Sequence, residues 1–435
     1  MKTLFLLDTY SYQFNKRERW LYFILLSFFF SLYMPGITWV YNVLMYVIFV
    51  YSFFYNSLAE KWLLIKHRAD IILIIIFFLL NCVSALISNN LKVGISFVGL
   101  RISLLVLPVA IGSIYIRKDL KDRLIFAFAV ATSFAAFGCL LWSISQFLKS
   151  GDTSLIYNDN LSAIINLQSI YFAMFINMAL FSLFYLAIIK SKLLPVKILV
   201  PLSLFLLIIQ FLLASRIAII LLFFIIIVLA FYYIIQQKKL VTGLSILSFL
   251  LIGSFLLIRV FPQTINRFRE LEYTKYDFKN TAKDSHFTRP LTADQWNGAN
   301  TRMAVWNCAW VVIKNNIFFG TQIGDKKEAL KQQYIAKDFK EGFNKNTHNN
   351  YLDVWMSLGL IGLILFLSGF FIIPLYQSFI VKDWYGLLLV IAFIVSLTTE
   401  TYMDRTMGNT MLAFFLSFIA GYKKPQDFNE NFGKF

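Results

Sequence analysis

Long apolar segments recur along almost the whole chain and constrain its fold more than any other feature. They lie near residues 21–35, 37–56, 70–88, 94–114, 124–148, 168–189, 195–213, 216–235, 240–261, 350–376, 384–402 and 408–422. A helix needs about 20 apolar residues to cross a bilayer, because it rises about 1.5 Å per residue. The runs are continuous and lack the alternation of a membrane β-barrel. The sequence therefore predicts an all-α polytopic membrane protein with about twelve transmembrane helices.

The composition supports the same class of protein. Of the 435 residues, 59% are hydrophobic and only 14% are charged, whereas soluble domains carry about 25% charged residues. The net charge of +17 suggests a nucleic-acid partner only until the cations are placed on the chain, where they are spread over alternate connecting segments. The sequence therefore predicts contact with membrane lipids and not with nucleic acid.

The alternation of basic and non-basic connecting segments predicts the topology. The basic residues are Lys16, Arg17, Arg19, Lys61, Lys66, Arg68, Arg117, Lys118, Lys121, Arg123, Lys190, Lys192, Lys197, Lys238, Lys239, Lys382, Lys423 and Lys424. Basic connecting segments remain on the cytoplasmic side of a membrane, so both termini are expected to be cytoplasmic. The side chains themselves are expected to be solvated or to face lipid headgroups.

One large polar segment lies on the opposite side of the membrane in this topology. The expected organisation is transmembrane helices 1–9 in residues 1–261, a loop domain outside the cytoplasm in 262–349, transmembrane helices 10–12 in 350–422 and a cytoplasmic tail in 423–435. Within the loop, "TRMAVWNCAWVVIKNNIFF" has the spacing of a helix with Met303, Trp306, Trp310 and Ile313 on one face. We expect this face to lie on the membrane interface or to pack on the helix bundle.

Several kinds of site have no counterpart in the sequence. There is no Gly-rich phosphate loop of the Walker type and no Cys/His/Asp spacing typical of a metal site. Cys82 and Cys139 fall in predicted spans, and only Cys308 falls outside them. We therefore expect no ATP hydrolysis, no metal and no cofactor.

Four arginines at membrane depth or at the outer interface are candidates for a binding site. Arg216 lies in the short external turn between the seventh and eighth predicted spans, and Arg302 opens the amphipathic helix of the loop. Arg101 lies inside the fourth span and Arg405 in the last external turn near Glu400, and for these two a structural ion pair is an equal alternative. Guanidinium groups bind phosphate oxygens in a bidentate manner. A lipid-linked pyrophosphate is the membrane-borne anion that fits this chemistry.

His348 is the candidate for acid–base chemistry. Thr347 or Asn346 is expected to cap the tenth helix, which would place His348 in its first turn. The positive end of the helix dipole disfavours a charged imidazole there, so the ring would stay neutral and able to accept a proton. A general base for an attacking hydroxyl is then the functional interpretation, and a structural residue at the mouth of the helix is the alternative.

Four motifs in the C-terminal half resemble the O-antigen ligase and polymerase superfamily. "THNNYLDVWMSLGLIGLILFL" is similar to its loop-ending His-Asn-x-x-Leu followed by a Gly-Leu-Ile-Gly helix, and "LLASRIAII" to its Ser/Thr-Arg pair. "NTRMAVWNCAWVVIKNNIFFG" resembles its Arg-x-x-x-Trp helix, and "ETYMDRTMGNTMLAFF" its closing Glu-x-x-x-x-Arg segment. The segment "LQSIYF" departs from the family's His-Pro-x-Tyr but keeps Tyr171.

The resemblance implies a GT-C-type glycosyltransferase in a bacterial inner membrane with its active site on the periplasmic face. It implies an undecaprenyl-pyrophosphate-linked glycan as donor and a sugar hydroxyl of lipid A–core as acceptor, with metal-independent transfer and inversion of the anomeric centre. By the same resemblance Arg216 and Arg302 would hold the pyrophosphate and His348 would be the general base. Further candidates for the site are Arg101, Arg405, Glu400, Tyr171 and Asn349.

Three other functions stay open. A polysaccharide polymerase would use the same donor with a second lipid-linked glycan as acceptor, and a protein O-oligosaccharyltransferase would modify a Ser or Thr side chain. The late position of the single large loop favours the ligase. A lipid-linked glycan flippase belongs to another class and is expected to show two related halves, which this sequence does not show.

Overall fold

The computed structural model describes residues 14–34, 37, 39–260, 264, 268–280 and 295–423. Within these ranges the chain is helical and forms no extended β-strand, which confirms the all-α fold class. The helices up to residue 260 are α1 (Lys16–Ser31), α2 (Trp39–Tyr55), α3 (Leu58–Lys66), α4 (Ala69–Leu86), α5 (Leu91–Leu100), α6 (Ser103–Ala110), α7 (Lys118–Ser150), α8 (Asn158–Leu161), α9 (Ser169–Ile188), α10 (Val196–Leu212), α11 (Arg216–Ile235) and α12 (Leu240–Val260). The helices after it are α13 (Gly298–Asn315), α14 (Lys326–Ala336), α15 (Asn350–Leu367), α16 (Ile373–Ile380), α17 (Trp384–Ser396) and α18 (Thr406–Tyr422).

Each predicted apolar segment contains a helix, but not each of these helices is long enough to cross a bilayer alone. Six described stretches have the required length and hydropathy: Ala69–Leu86, Leu91–Ala110, Lys118–Ser150, Ser169–Ile188, Arg216–Ile235 and Asn350–Ile380. A seventh is obtained if α2 and α3, which bend by 107° at their junction, form one broken span. The multi-pass character of the chain is therefore supported, and the number of twelve spans stays a prediction.

Two predicted spans are interrupted. In the fourth, α5 ends at Leu100 and α6 begins at Ser103, so that the fully buried Arg101 lies at the break and not inside a continuous helix. In the tenth, α15 continues through a π-helical turn, Ser368–Ile372, into α16. It is also kinked at Gly359, which has φ 67° and ψ −167°.

The kink at Gly359 has a tertiary cause. The turn after α13 crosses α15 here, and the N–H of Leu360 donates to the carbonyl of Ile317 at 2.8 Å while the N–H of Thr321 donates to that of Met356 at 2.8 Å. A Cβ at Gly359 would collide with the carbonyl oxygen of Phe318. Glycine is therefore required both by the left-handed φ and by the close approach of the two backbones.

The basic residues gather at one end of the bundle, and several are buried there, contrary to the expectation that they are solvated. The Lys61 ammonium donates to Ser52 and Ser113 at 3.0 and 2.8 Å. The Arg68 guanidinium donates to the carbonyls of Gly112 and Ile114 at 2.6 and 2.8 Å. These cations satisfy the carbonyls and hydroxyls left unpaired where helices end, which the sequence alone does not reveal.

A buried ionic network joins the segment after α12 to the opposite end of the bundle. The ammonium of Lys326, on α14, lies 2.6 Å from Asp353 and 2.7 Å from Asp404. The guanidinium of Arg101 lies 3.6 Å from each of the same two carboxylates. Because Asp353 belongs to α15 and Asp404 to the turn before α18, the network fixes both segments to the end of the bundle that carries the candidate site.

Candidate active site

A cavity of about 330 Å³ opens at the end of the bundle opposite the basic residues. Its charged lining residues are Asp159, Arg216, Arg302 and Glu400. Asp159 lies in α8, Arg216 begins α11, Arg302 lies in α13 and Glu400 follows α17. The fold therefore brings together residues that are far apart in the sequence.

The two arginines predicted to bind phosphate meet at the N-terminus of α13. Arg216 is the first residue of α11, and not part of the turn before it as expected, while Arg302 lies in the second turn of α13. Gly298 separates them. A Cβ at Gly298 would lie 3.0 Å from one nitrogen of Arg216 and 3.2 Å from one nitrogen of Arg302. The missing side chain leaves room for both guanidinium groups.

Both arginines are held by the protein. Arg302 donates from Nε to the carbonyl of Thr399 at 3.2 Å and from Nη1 to that of Gly298 at 2.7 Å. Burial, followed by the positive charge of Arg216, lowers the pKa of Arg302. Arg216 Nη1 pairs with Glu270 Oε2 at 3.0 Å. The two guanidinium groups are close enough to contact oxygens of one multivalent anion.

His348 pairs with Glu400. The distance between His348 Nδ1 and Glu400 Oε2 is 3.0 Å, and Glu400 also lines the cavity. A carboxylate at Nδ1 favours the tautomer that carries the proton there, which leaves Nε2 as the proton acceptor. The carboxylate therefore fixes the orientation of the His348 ring, and Nε2 is left as the basic atom.

The helical position predicted for His348 is wrong. Asn349 is the N-cap of α15, with its side chain accepting from the N–H of Tyr351 at 2.9 Å and of Leu352 at 3.1 Å. His348 precedes the cap with a left-handed φ of 44°. The ring is thus oriented by Glu400 and not by the dipole of the helix.

Neighbouring side chains hold the backbone of His348 in this conformation. The amide of Asn346 accepts from the N–H of His348 at 3.1 Å and donates to Thr401 Oγ1 at 2.5 Å. Trp306 Nε1 donates to the carbonyl of Thr347 at 2.8 Å, and its ring also lines the cavity. A non-glycine residue with positive φ is costly and persists where its surroundings determine it.

The charge of Glu400 is maintained despite its burial. Burial alone raises the pKa of this carboxyl, but the hydrogen bond and charge of His348 and the charge of Arg302 outweigh that effect and lower it. The carboxylate therefore stays ionised at neutral pH and can stabilise a positive charge on His348.

His348 is not among the residues that line the cavity and is joined to it through Glu400, and the remaining predicted residues lie apart from the lining as well. Arg101 belongs to the buried ionic network, Arg405 is exposed at the start of α18, and Asn349 caps α15. Tyr171 is buried with its ring centroid 4.7 Å from that of Tyr402. The sequence reasoning missed Glu270 and Asp159, and it assigned Trp306 to a packing or membrane-interface face and not to the cavity. Glu270 had no local signal, because its partner Arg216 is 54 residues away.

Comparison with known proteins agrees with the motifs. The family model described as O-antigen ligase matches residues 201–367, a range that contains Arg216, Arg302 and His348 but ends before Glu400. No curated protein matches the chain significantly. The match, together with the helical membrane fold around it, supports the similarity of this chain to the O-antigen ligase and polymerase superfamily.

Proposed function

We propose that the protein is an O-antigen ligase that transfers a glycan from undecaprenyl pyrophosphate to a sugar hydroxyl of lipid A–core on the periplasmic face of the inner membrane. The observation that carries the proposal is the convergence of Arg216 and Arg302 on the same cavity that Glu400 lines, with His348 bound to Glu400. Such a site combines an anion-binding pair with an oriented base, the two functions that transfer from a pyrophosphate requires.

The proposed reaction begins with removal of a proton. Nε2 of His348 takes the proton of the acceptor hydroxyl while Nδ1–H donates to Glu400. The acceptor oxygen attacks the anomeric carbon of the donor sugar, and the bond from that carbon to the pyrophosphate oxygen breaks. Attack opposite the leaving group inverts the anomeric centre. The products are the glycosylated acceptor, undecaprenyl pyrophosphate and a proton on His348, which is then released to water.

The arginines act on the leaving group. Negative charge develops on the bridging oxygen as the bond breaks, and Arg216 and Arg302 would stabilise it by charge-assisted hydrogen bonds. Both guanidinium groups are positioned before substrate binds, one by Glu270 and the other by two carbonyls. Once the pyrophosphate is bound in place of Glu270, donors held in this way need no further rearrangement in the transition state.

The acceptor distinguishes the ligase from a polysaccharide polymerase and from a protein O-oligosaccharyltransferase, which would use the same donor site. The glycolipids of a strain lacking the gene provide the test. Loss of long glycan from lipopolysaccharide with accumulation of lipid-linked polymer is the expected result. A single repeat unit on lipid A–core would indicate a polymerase, and unchanged lipopolysaccharide with loss of protein glycans an oligosaccharyltransferase.

A further inference from the structure

The outer surface of helix α13 carries a stripe of exposed apolar side chains. Met303 and Trp310, seven residues apart on α13, are each 41% exposed, and Ile317, just beyond the end of the helix at Asn315, is 42% exposed. Phe318 and Phe319, in the turn that follows the helix, are 62% and 72% exposed. Side chains seven residues apart share one face of a helix. These five side chains are called the α13 stripe below.

The N-terminal end of α13 lies near one surface of the membrane. Gly298 is beside Arg216, the first residue of α11. This helix is 20 residues long, which corresponds to about 30 Å and equals the thickness of the hydrocarbon core. Arg216 and Ile235, the two ends of α11, therefore lie at opposite surfaces of the hydrocarbon core, with Ile235 on the cytoplasmic side.

The C-terminal end of α13 lies at the same height. The turn that follows it contacts α15 at Gly359, and Ile380 ends the membrane stretch that α15 begins. Gly359 and Ile380 are 21 positions apart, which corresponds to about 32 Å of helix. The inner ends of the two stretches are level with each other, because Tyr232 of α11 packs on Trp384, four residues after Ile380, with ring centroids 5.8 Å apart.

We propose that α13 lies flat on the periplasmic surface of the membrane that holds the protein. The α13 stripe then enters the periplasmic leaflet of that bilayer. The stripe continues the lipid-facing surface of α15, since Ile361 and Ile364, just below the turn, are 46% and 54% exposed. Trp310 contacts Trp355 at 5.4 Å between ring centroids, and the Lys314 ammonium lies 6.0 Å from the Trp310 ring. Tryptophan and lysine at the level of the headgroups are typical of membrane interfaces.

The anchored helix also sets the height of the candidate active site. Arg302 lies on α13 and would be held at the depth of the lipid headgroups. This consequence rests on the proposed function, because a pyrophosphate attached to a membrane lipid lies at the same depth. The anchoring itself does not depend on what the cavity binds.

A spin label measures the depth of the stripe directly. Phe319→Cys and, as the control, Lys331→Cys on the exposed face of α14 are labelled in a Cys82→Ser background, since Cys139 and Cys308 are buried. The protein is placed in nanodiscs of phosphatidylethanolamine and phosphatidylglycerol. We expect the label at position 319 to be accessible to oxygen and protected from a water-soluble nickel complex, and the label at 331 to show the reverse. Equal nickel accessibility at both positions would overturn the proposal. Protection at position 319 together with a short distance between the labels of two copies would also overturn it, because the stripe would then be covered by a second copy of the protein.

A functional comparison separates anchoring from catalysis. In the Phe318→Ser/Phe319→Ser protein, transfer from an undecaprenyl-linked donor should fall several-fold, whereas transfer from a water-soluble short-chain donor should be unchanged. Phe343→Ser, at another exposed phenylalanine of the same segment, should affect neither. Equal losses with both donors would contradict anchoring. If the protein transferred glycan from neither donor even without substitutions, the proposed function would fail while the spin-label result still decided the position of α13.

Discussion

At the scale of single residues, His348 combines a strained backbone with a charged partner. Its φ of 44° is maintained by hydrogen bonds from both sides, and its ring is oriented by Glu400. Strain of this kind is found where a side chain must point in one direction. In this site the direction is the one that places Nδ1 on the carboxylate and leaves Nε2 available.

His348→Ala should lower turnover by about 10²–10⁴-fold, the usual loss when a positioned base is removed. Donor binding should change much less, because the arginines supply it. The measurement is glycan transfer by purified protein in nanodiscs, normalised to folded protein, with His67→Ala at the basic end of the bundle as the matched control. Turnover near that of the unsubstituted protein would remove His348 from the chemistry and leave it as a structural residue.

Arg216→Ala should abolish transfer and weaken donor binding while the protein remains inserted. Arg216→Lys should restore little, because a single ammonium cannot replace a bidentate guanidinium. Arg405→Ala, an exposed arginine outside the cavity, is the matched control, and donor affinity and transfer rate are the measurements. Glu270→Gln removes the partner of Arg216 without removing the guanidinium. If it were as inactive as Arg216→Ala, the role of Arg216 would be to hold Glu270.

At the scale of elements, the sequence predicted the helices but not their interruptions. The length of a continuous apolar run can be read from the local sequence, so each of the twelve apolar segments could be located. The breaks at Arg101 and Gly359 depend on partners distant in the chain: the carboxylates of Asp353 and Asp404 for the arginine, and the backbone of the 317–321 turn for the glycine. Local periodicity carries no information about such contacts.

Gly359→Ala should destabilise the protein. The left-handed conformation alone costs a residue with a side chain about 1–2 kcal/mol, and the added Cβ would also meet the carbonyl of Phe318. Thermal unfolding in detergent should show a lower midpoint. Gly138→Ala, in α7 with open space around the added carbon, should leave the midpoint unchanged or raise it slightly. Equal midpoints for the two variants would mean that the 317–321 turn does not press on α15.

At the scale of the whole molecule, the candidate site is assembled from four segments that the sequence could identify only one by one. Arg216, Arg302, His348 and Glu400 could be selected because charges next to apolar runs are unusual. The contacts among these four residues, and the participation of Glu270, could not be predicted. The residues are far apart in the sequence, and no regular interval between them indicates that they meet. The pairing of Lys326 with Asp353 and Asp404 was missed for the same reason.

Lys326→Met should destabilise the attachment of the extramembrane helices to the bundle. Removing one partner of a buried ionic group costs about 3–5 kcal/mol, because it leaves carboxylates buried without compensation. Lys331→Met, an exposed lysine on the same helix, is the control. Limited proteolysis and thermal unfolding should distinguish the two variants. An unchanged Lys326→Met protein would show that Arg101 alone compensates both carboxylates.

The predicted topology requires that the basic end and the cavity end lie on opposite sides of the membrane. A cysteine introduced at Lys340 should therefore react with a membrane-impermeant maleimide in intact cells, whereas a cysteine at Lys239 should react only after the cytoplasmic membrane is permeabilised. Because Lys340 follows α14, labelling of both positions in intact cells would contradict the predicted orientation and with it a periplasmic active site.

The contact between Arg216 and Glu270 has a consequence for how tightly the site can hold an anion. A carboxylate already occupies one side of the guanidinium, so the arrival of a pyrophosphate is an exchange of one ionic partner for another. The free energy of such an exchange is the difference between the free energies of two ion pairs, and it is smaller than that of the stronger pair alone. The same exchange in reverse assists departure of the spent carrier, since Glu270 regains its partner as the carrier leaves. A site built in this way favours repeated turnover over maximal affinity.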